Sequence, residues 1–134
     1  MKGIADSGFL VAFRNRTDRF HDWALEIAAQ ITEPLLTCES VLSEAAFQVG
    51  SSEEILDLVE DGLIRLSFDC ARQLAPLQEL ARRYADRRPD LADLCLIRMS
   101  ELFPRHTIVT VDSDFRVYRR NKREVIPILS PPRK

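Results

Sequence analysis

Four acidic residues occupy positions from which a folded chain could bring them together. Asp6 ends a short apolar segment and Asp112 ends a β-branched one, while Glu44 and Asp93 each fall early in a predicted amphipathic helix. Carboxylate oxygens are the ligands that hard divalent cations such as Mg²⁺ and Mn²⁺ prefer. The pattern therefore indicates a divalent-metal site, provided that the fold places the four side chains at one edge.

Each acid also has an ordinary structural explanation. An aspartate at a strand end commonly caps a helix or forms a turn, and the helix dipole alone favours an acid such as Asp93 in a first turn. Clustered carboxylates without a cation repel one another, so that some would protonate. Only the four acids taken together favour the metal site over these separate explanations.

Predicted helices and strands alternate along the chain. The predicted strands cover residues 2–6, 35–37, 63–68, 107–111 and 125–129. The predicted helices cover residues 7–13, 17–33, 40–49, 51–60, 71–85, 90–103 and 115–119. Their N-caps are Thr17 or Asp18, Ser40, Ser51 and Asp90 for the second, third, fourth and sixth.

This alternation is typical of an α/β fold, a three-layer α/β/α sandwich with a central, mostly parallel sheet. Ligands of such sheets bind outside the carboxyl ends of the strands, which is where the segments containing the four acids converge. We find no repeat or linker, so residues 1–130 are expected to form one domain and residues 131–134 a C-terminal tail.

Composition excludes several classes of protein. The 134 residues are 46% hydrophobic and 30% charged, with only 4 Gly and 7 Pro, unlike disordered or collagenous chains. There is no long apolar run and no secretory signal, so a cytoplasmic location without a membrane is expected. Cys38, Cys70 and Cys95 have no CxxC spacing and are interpreted as small core residues.

Basic residues are concentrated in the second half of the chain. Residues 1–70 carry 5 basic and 13 acidic side chains, whereas residues 71–134 carry 14 and 8, so the halves have net charges of −8 and +6. The clusters are interpreted either as a solvated surface with internal ion pairs or as sites that bind phosphate groups. Their members are Arg82, Arg83, Arg87, Arg88, Arg116, Arg119 and Arg120.

Other α/β sites that use a metal or a phosphate fit this sequence less well. Asp6 is followed by Ser7 and Gly8, so neither the acidic pair of a phosphoaspartate receiver nor the Asp-x-Asp-x-Thr of a haloacid-dehalogenase-like enzyme is present. The glycine-rich patterns of nucleotide cradles are also missing from the sequence. His21 and His106 are too few and too far apart for a recognisable triad.

Residues 4–7, 37–47, 90–96 and 110–115 resemble the PIN-domain ribonuclease family, specifically the small toxins of VapC type. The last segment, Thr-Val-Asp-Ser-Asp-Phe, is similar to the family's Thr-x-Asp-x-Asp-Phe pattern and is the most specific of the four. Gly8 and the pair Leu94-Cys95 depart from what is common in the family.

The resemblance implies a Mg²⁺- or Mn²⁺-dependent endoribonuclease that hydrolyses RNA phosphodiester bonds, with the arginine clusters of the second half binding flanking RNA phosphates. Asp6, Glu44, Asp93 and Asp112 match the acidic quartet that would hold the metal and serve catalysis. Asp114 matches a further acid of more variable role, and Ser7 and Thr110 match the supporting hydroxyls.

The resemblance also implies a cognate antitoxin and a homodimer. Phe9, Phe13 and Phe20, interleaved with Arg14, Arg16 and Arg19, are either an interaction surface or simply core. Two other functions stay open, a non-catalytic nucleic-acid-binding module and a nuclease acting on DNA or structured nucleic acid.

Overall fold

The computed structural model describes residues 1–132, so the predicted tail at 131–134 lies partly outside the described residues. In chain order the strands are β1 (Gly3–Ala5), β2 (Leu35–Thr37), β3 (Ile64–Leu66), β4 (Thr107–Val109), β5 (Arg119–Arg120), β6 (Glu124–Val125) and β7 (Ile128–Leu129). The α-helices are α1 (Ser7–Arg14), α2 (His21–Ala29), α3 (Glu39–Val49), α4 (Ser52–Glu60), α5 (Leu74–Arg83) and α6 (Leu91–Leu102). Two 3₁₀ helices cover Cys70–Gln73 and Ser113–Arg116.

Five of the strands form one parallel sheet in the order β3-β2-β1-β4-β7. Ile4 in the central strand lies opposite Leu36 on one side and Ile108 on the other, and all three are buried. Helices cover both faces of the sheet, which is why β1 and most of β2 and β4 are apolar without alternation. The predicted α/β/α sandwich is therefore confirmed.

Local sequence signals start and stop several helices. The Ser51 hydroxyl accepts a hydrogen bond from the Glu54 N–H at the start of α4, and Gly50 ends α3 with a φ of 82°. The Asp90 carboxylate accepts the Asp93 N–H and caps α6. These are the N-cap and glycine signals expected from the sequence.

The structure differs from the sequence-based boundaries in several places. The third helix begins at Glu39 with Cys38, not Ser40, as its N-cap, and the helix predicted at 115–119 is a 3₁₀ helix at Ser113–Arg116. The second helix begins at His21 because the Asp18 carboxylate accepts the Phe20 N–H and forms a turn first. Residues 71–85 divide into a 3₁₀ turn and α5. The last predicted strand divides as well: Glu124–Val125 pairs with β5, while β7 joins the main sheet beyond Pro127, which has no N–H to donate.

The three cysteines do not share one environment. Cys38 and Cys95 are buried, as expected, but Cys70 is exposed in its 3₁₀ turn, so the prediction that it is a core residue is wrong. None of the helices in residues 1–132 is long and apolar enough to cross a membrane.

Candidate active site

The site forms where the sheet changes direction. The chain proceeds from β1 through β2 to β3 on one side and then returns to place β4 on the other side of β1. Asp6 directly follows β1, and Asp112 follows β4 after two intervening residues. In parallel sheets, this switch point opens a crevice at the carboxyl ends of the two strands.

Asp6 is the most buried member of the site, with 5% of its surface exposed. One carboxylate oxygen, Oδ1, accepts the Ser7 N–H at 2.6 Å, and the other, Oδ2, accepts the Thr110 hydroxyl at 2.6 Å. Burial raises its pKa to about 6 despite these hydrogen bonds, and the charges of Asp112 and Glu44 add to the rise.

Glu44 is tied to the same cluster through a hydroxyl group. It lies in the middle of α3, and its Oε1 accepts the Ser7 Oγ hydrogen at 2.7 Å. The Ser7 hydroxyl is 3.4 Å from Asp6 Oδ1, so the single proton is better placed towards Glu44. Ser7 thus links the β1 end to α3.

Asp93 contributes an acid from the opposite side of the cluster. It lies in the first turn of α6, where its N–H is held by the Asp90 carboxylate at 2.8 Å. Burial, followed by the nearby charges of Asp90, Asp6 and Asp112, raises its pKa to about 7. Without a cation, this carboxyl group therefore keeps its proton to a higher pH than an ordinary aspartate does.

Thr110 positions both strand-end aspartates. Its hydroxyl donates to Asp6 Oδ2 and accepts the Asp112 N–H at 2.9 Å. Asp112 in turn caps the following 3₁₀ helix by accepting the Asp114 N–H at 2.8 Å. A hydroxyl at this position uses its donor and its acceptor at once, which valine could not do.

The four predicted acids line one cavity of about 230 Å³. Asp90 and Gln48 line it as well, although sequence reasoning assigned Asp90 only to helix capping and did not consider Gln48. The spacing along the chain could have indicated both residues. Gln48 is one helical turn after Glu44, and Asp90, as the N-cap, lies beside Asp93 three positions later.

Asp114 is not brought to this cavity. Its side chain is exposed, and it is absent from the cavity wall that Asp6, Glu44, Asp93 and Asp112 share. The structure therefore gives no support to Asp114 as a metal ligand. Its charge still contributes, after burial and Asp93, to raising the pKa of buried Tyr118 to about 12.

The donor set is suited to a hard divalent cation. Every acidic group at the cavity offers carboxylate oxygens, and each Asp6 oxygen keeps a lone pair beyond its strong hydrogen bond. As the side chains stand, residues 1–132 contain no group of three His, Cys, Asp or Glu arranged to hold an ion. Side-chain rotations within the cavity would be needed, and the raised pKa values of Asp6 and Asp93 show that positive charge there would be stabilising.

Gly8 is required by close packing beside the site. A Cβ atom at this position would lie 2.4 Å from Cγ2 of Val111, well inside van der Waals contact. Gly8, which departs from the family's usual residue, therefore leaves the space that the Val111 side chain occupies. The carboxylates of the site stay in place.

The predicted RNA-binding arginines fall into three groups. Arg82, Arg87, Arg88 and Arg116 are exposed. Arg83 pairs with Glu79 at 3.0 Å, and the Nη1 of Arg119 donates to three backbone carbonyls of residues 116–118. These two arginines are thus partly engaged within the protein.

Arg120 does not bind RNA in this fold, and its prediction is corrected. It is 5% exposed and forms an ion pair with Glu124 at 2.6 Å. Its guanidinium also donates to the carbonyls of Ser100 and Pro104 at 2.8 and 3.3 Å. Arg120 therefore links the β5–β6 hairpin to the end of α6.

The phenylalanine and arginine segment divides in the same way. Phe9 is fully buried and belongs to the core, whereas Phe13 and Phe20 are only partly buried. Arg14 pairs with Glu54 at 3.1 Å. Arg16 and Arg19 are exposed. The interaction-surface alternative is thus excluded for Phe9 alone.

Comparison with known proteins agrees with the geometry. No curated protein shows significant similarity to the chain. The PIN domain family matches residues 4–121, which include most of β1, the switch point and all four acids. PIN domains are generally metal-dependent nucleases, and with most of its length matched the chain belongs to the PIN domain family.

Proposed function

We propose that this protein is a metal-dependent endoribonuclease. The observation that carries the proposal is the convergence of Asp6, Glu44, Asp93 and Asp112 on one cavity at the switch point of the sheet. They come from the residue after β1, from α3, from α6 and from the segment after β4, so no local feature of the chain accounts for their meeting.

The residues divide into those that would hold Mg²⁺ or Mn²⁺ and those that position them. Asp6, Glu44, Asp93 and Asp112 supply oxygen ligands, while Thr110 orients Asp6 and Ser7 orients Glu44. When bound, the ion supplies an acidified water and neutralises charge on the phosphate and leaving oxygen. Asp93, with a pKa of about 7, gives up its proton as the ion binds.

RNA is preferred as substrate on the basis of the resemblance and the exposed arginines. Arg82, Arg87, Arg88 and Arg116 could bind flanking phosphates and offset the repulsion between an acidic cavity and a polyanion. A DNA-directed nuclease and a non-catalytic binding module are the competing functions.

Cleavage assays test the proposal directly. Labelled single-stranded RNA should be cut internally with Mg²⁺ or Mn²⁺ and should remain intact in EDTA. Asp93→Asn and Asp6→Asn should each lower the rate about 100-fold or more, since each removes a charged ligand. Asp57→Asn, which alters an exposed aspartate of α4, should match wild type.

Three kinds of result would contradict the proposal. Full activity in EDTA, or in the Asp6→Asn/Asp93→Asn double variant, would exclude the metal mechanism. Faster cutting of a matched DNA strand than of the RNA strand would establish the DNA-directed alternative. Binding without turnover under every metal condition would establish the non-catalytic module.

We further propose a toxin of a type II toxin–antitoxin pair that forms a homodimer. The support is the resemblance to VapC-type proteins together with the exposed Arg16 and Arg19 beside the partly buried Phe13 and Phe20. Expression should arrest growth, and co-expression of a small protein encoded by a neighbouring reading frame should relieve the arrest. Arg16→Glu should weaken that partner's binding; unchanged affinity would exclude this surface.

A further inference from the structure

A second cavity adjoins the acidic one and has different chemistry. Its volume is about 560 Å³, and it shares Val111 and Asp112 with the acidic cavity. The two cavities are thus separated by only one stretch of chain, the segment that follows β4.

The walls of the second cavity are aromatic and cationic. Phe20 and Trp23 line it, as do Arg19 and Arg116. The Arg19 guanidinium lies 4.7 Å from the centre of the Phe20 ring, and Arg116 Nη2 donates to Ser130 Oγ at 3.0 Å. Both arginines are exposed, so their remaining donors can reach a ligand from solvent.

Trp23 is held firmly while part of its surface remains accessible. Its ring packs edge-on against fully buried Phe9, with centroids 6.1 Å apart and planes at 87°. Trp23 itself is only partly buried. A ring that is packed on one side and open to a cavity on the other can stack on a ligand at low cost, because its side chain loses little further conformational entropy on binding.

We infer that this cavity binds an unpaired nucleobase of the substrate next to the bond that is cut. The base would stack against Trp23 and Phe20, and Arg19 and Arg116 would contact the adjoining phosphate. Because a base within a duplex cannot leave its stack without cost, the cavity selects single-stranded segments. This inference rests on the proposed nuclease function for the identity of the ligand.

Trp23 supplies a direct measurement, because it is the single tryptophan in the chain. A short single-stranded oligouridine is titrated into the protein in EDTA at low salt, where metal-dependent cleavage cannot occur. Saturable quenching of Trp23 fluorescence is expected. Inorganic polyphosphate, which has the charge but no bases, and double-stranded RNA should leave the fluorescence nearly unchanged.

Paired variants locate the binding site. Phe20→Leu and Arg19→Ala should each weaken oligouridine affinity about 10-fold, as expected for loss of a stacking platform or a phosphate contact. Phe47→Leu, at a residue 87% exposed on α3, is the aromatic control. Arg72→Ala, at a side chain 84% exposed in the 3₁₀ turn, is the cationic control. Both controls should bind like wild type.

The outcomes separate this inference from the proposed function. The cavity assignment would be overturned if the protein is an active nuclease but oligouridine leaves Trp23 fluorescence unchanged, and Phe20→Leu and Arg19→Ala both leave oligouridine affinity unchanged. Quenching by a partner-protein segment in place of oligouridine would overturn it as well. Base-dependent quenching in a protein that never cleaves RNA would uphold the cavity and reject the nuclease. Arg19→Ala alters an exposed side chain, so the comparison does not depend on how Phe20→Leu folds.

Discussion

Asp6 shows how a residue can be unfavourable to the fold and still belong to the candidate site. Its carboxylate is almost fully buried, and two strong hydrogen bonds do not restore the pKa of an exposed aspartate. A rise in pKa from 3.8 to about 6 corresponds to roughly 3 kcal/mol of folding free energy lost when the group is charged. Bound cation would return part of that free energy.

The metal-free protein should therefore lose stability as pH increases. A carboxyl group whose pKa is higher in the folded state binds its proton more tightly there, so its contribution is complete below about 3.8. That contribution is lost as pH rises through about 6 for Asp6 and about 7 for Asp93. In EDTA, the difference in unfolding free energy between wild type and Asp6→Asn should shift towards the variant by roughly 3 kcal/mol between pH 4 and 8.

Thermal melts at several pH values, with and without Mg²⁺, measure this effect. Mg²⁺ should stabilise wild type more than Asp6→Asn, by mass action on the folded state. Asp57→Asn should follow wild type throughout, because this side chain is exposed. Parallel pH curves and equal Mg²⁺ shifts for wild type and Asp6→Asn would place the metal elsewhere.

At the scale of elements, the close approach of α1 to the segment after β4 determines the geometry of the site. Asp6 caps α1, Ser7 begins it, and Gly8 contacts Val111 in the wall that both cavities share. A side chain at Gly8 would have to move either the helix or the strand end, and each carries an acid of the site.

Gly8→Ala should destabilise the protein by about 1–3 kcal/mol, the usual cost of overpacking, and should lower activity. The added methyl group would collide with Val111 Cγ2. Gly8 lies two residues after Asp6, and Val111 directly precedes Asp112, so relieving the collision would move one of these two acids. Denaturant unfolding and cleavage rates measure both effects.

A double-variant cycle identifies the cause. Val111→Ala removes the atom that collides, so Gly8→Ala should cost much less in the Val111→Ala background. If the changes in unfolding free energy of the two substitutions simply add, Gly8 is needed for the start of α1 and not for packing against Val111.

For the whole molecule, the distribution of charge across the fold would govern binding of the proposed RNA substrate. The acids converge at the carboxyl edge of the sheet, while Arg82 and Arg87 are exposed near the end of α5 and in the loop towards α6. Asp90, the N-cap of α6, lines the acidic cavity, and Arg87 lies three residues before it in the same loop.

The Arg82→Ala/Arg87→Ala variant should weaken RNA binding and reduce its dependence on salt. Each phosphate contact on single-stranded nucleic acid contributes about 0.7 to the slope of log K against log salt, so losing two contacts should reduce the slope by roughly 1.4. Arg88 is left unchanged because its φ of 49° makes substitution ambiguous. Fluorescence anisotropy at several salt concentrations measures the slope.

Arg105 provides the matched control. It is exposed in the turn between α6 and β4, at the amino edge of the sheet, so Arg105→Ala should leave the slope unchanged. An equal fall in slope for both variants would mean that RNA binds through diffuse charge rather than across the carboxyl edge.

The sequence alone determined the alternating layers and the identity of the four acids. Periodicity reports which face of an element is buried, and caps such as Ser51 and Asp90 act within a few residues, so both can be read locally. The rule that ligands bind at the carboxyl ends of parallel strands then placed Asp6 and Asp112 at one edge.

Only the tertiary structure decided which charged and aromatic side chains remain available. Arg120 and Arg116 look alike in sequence, but Arg120 is neutralised by Glu124 and by carbonyls at the end of α6, whereas Arg116 is exposed beside the second cavity. Trp23 follows a helical pattern typical of core residues, yet part of its ring lines that cavity. Burial and ion pairing of a side chain depend on residues that are distant along the chain. The spacing of residues within one segment therefore does not predict them.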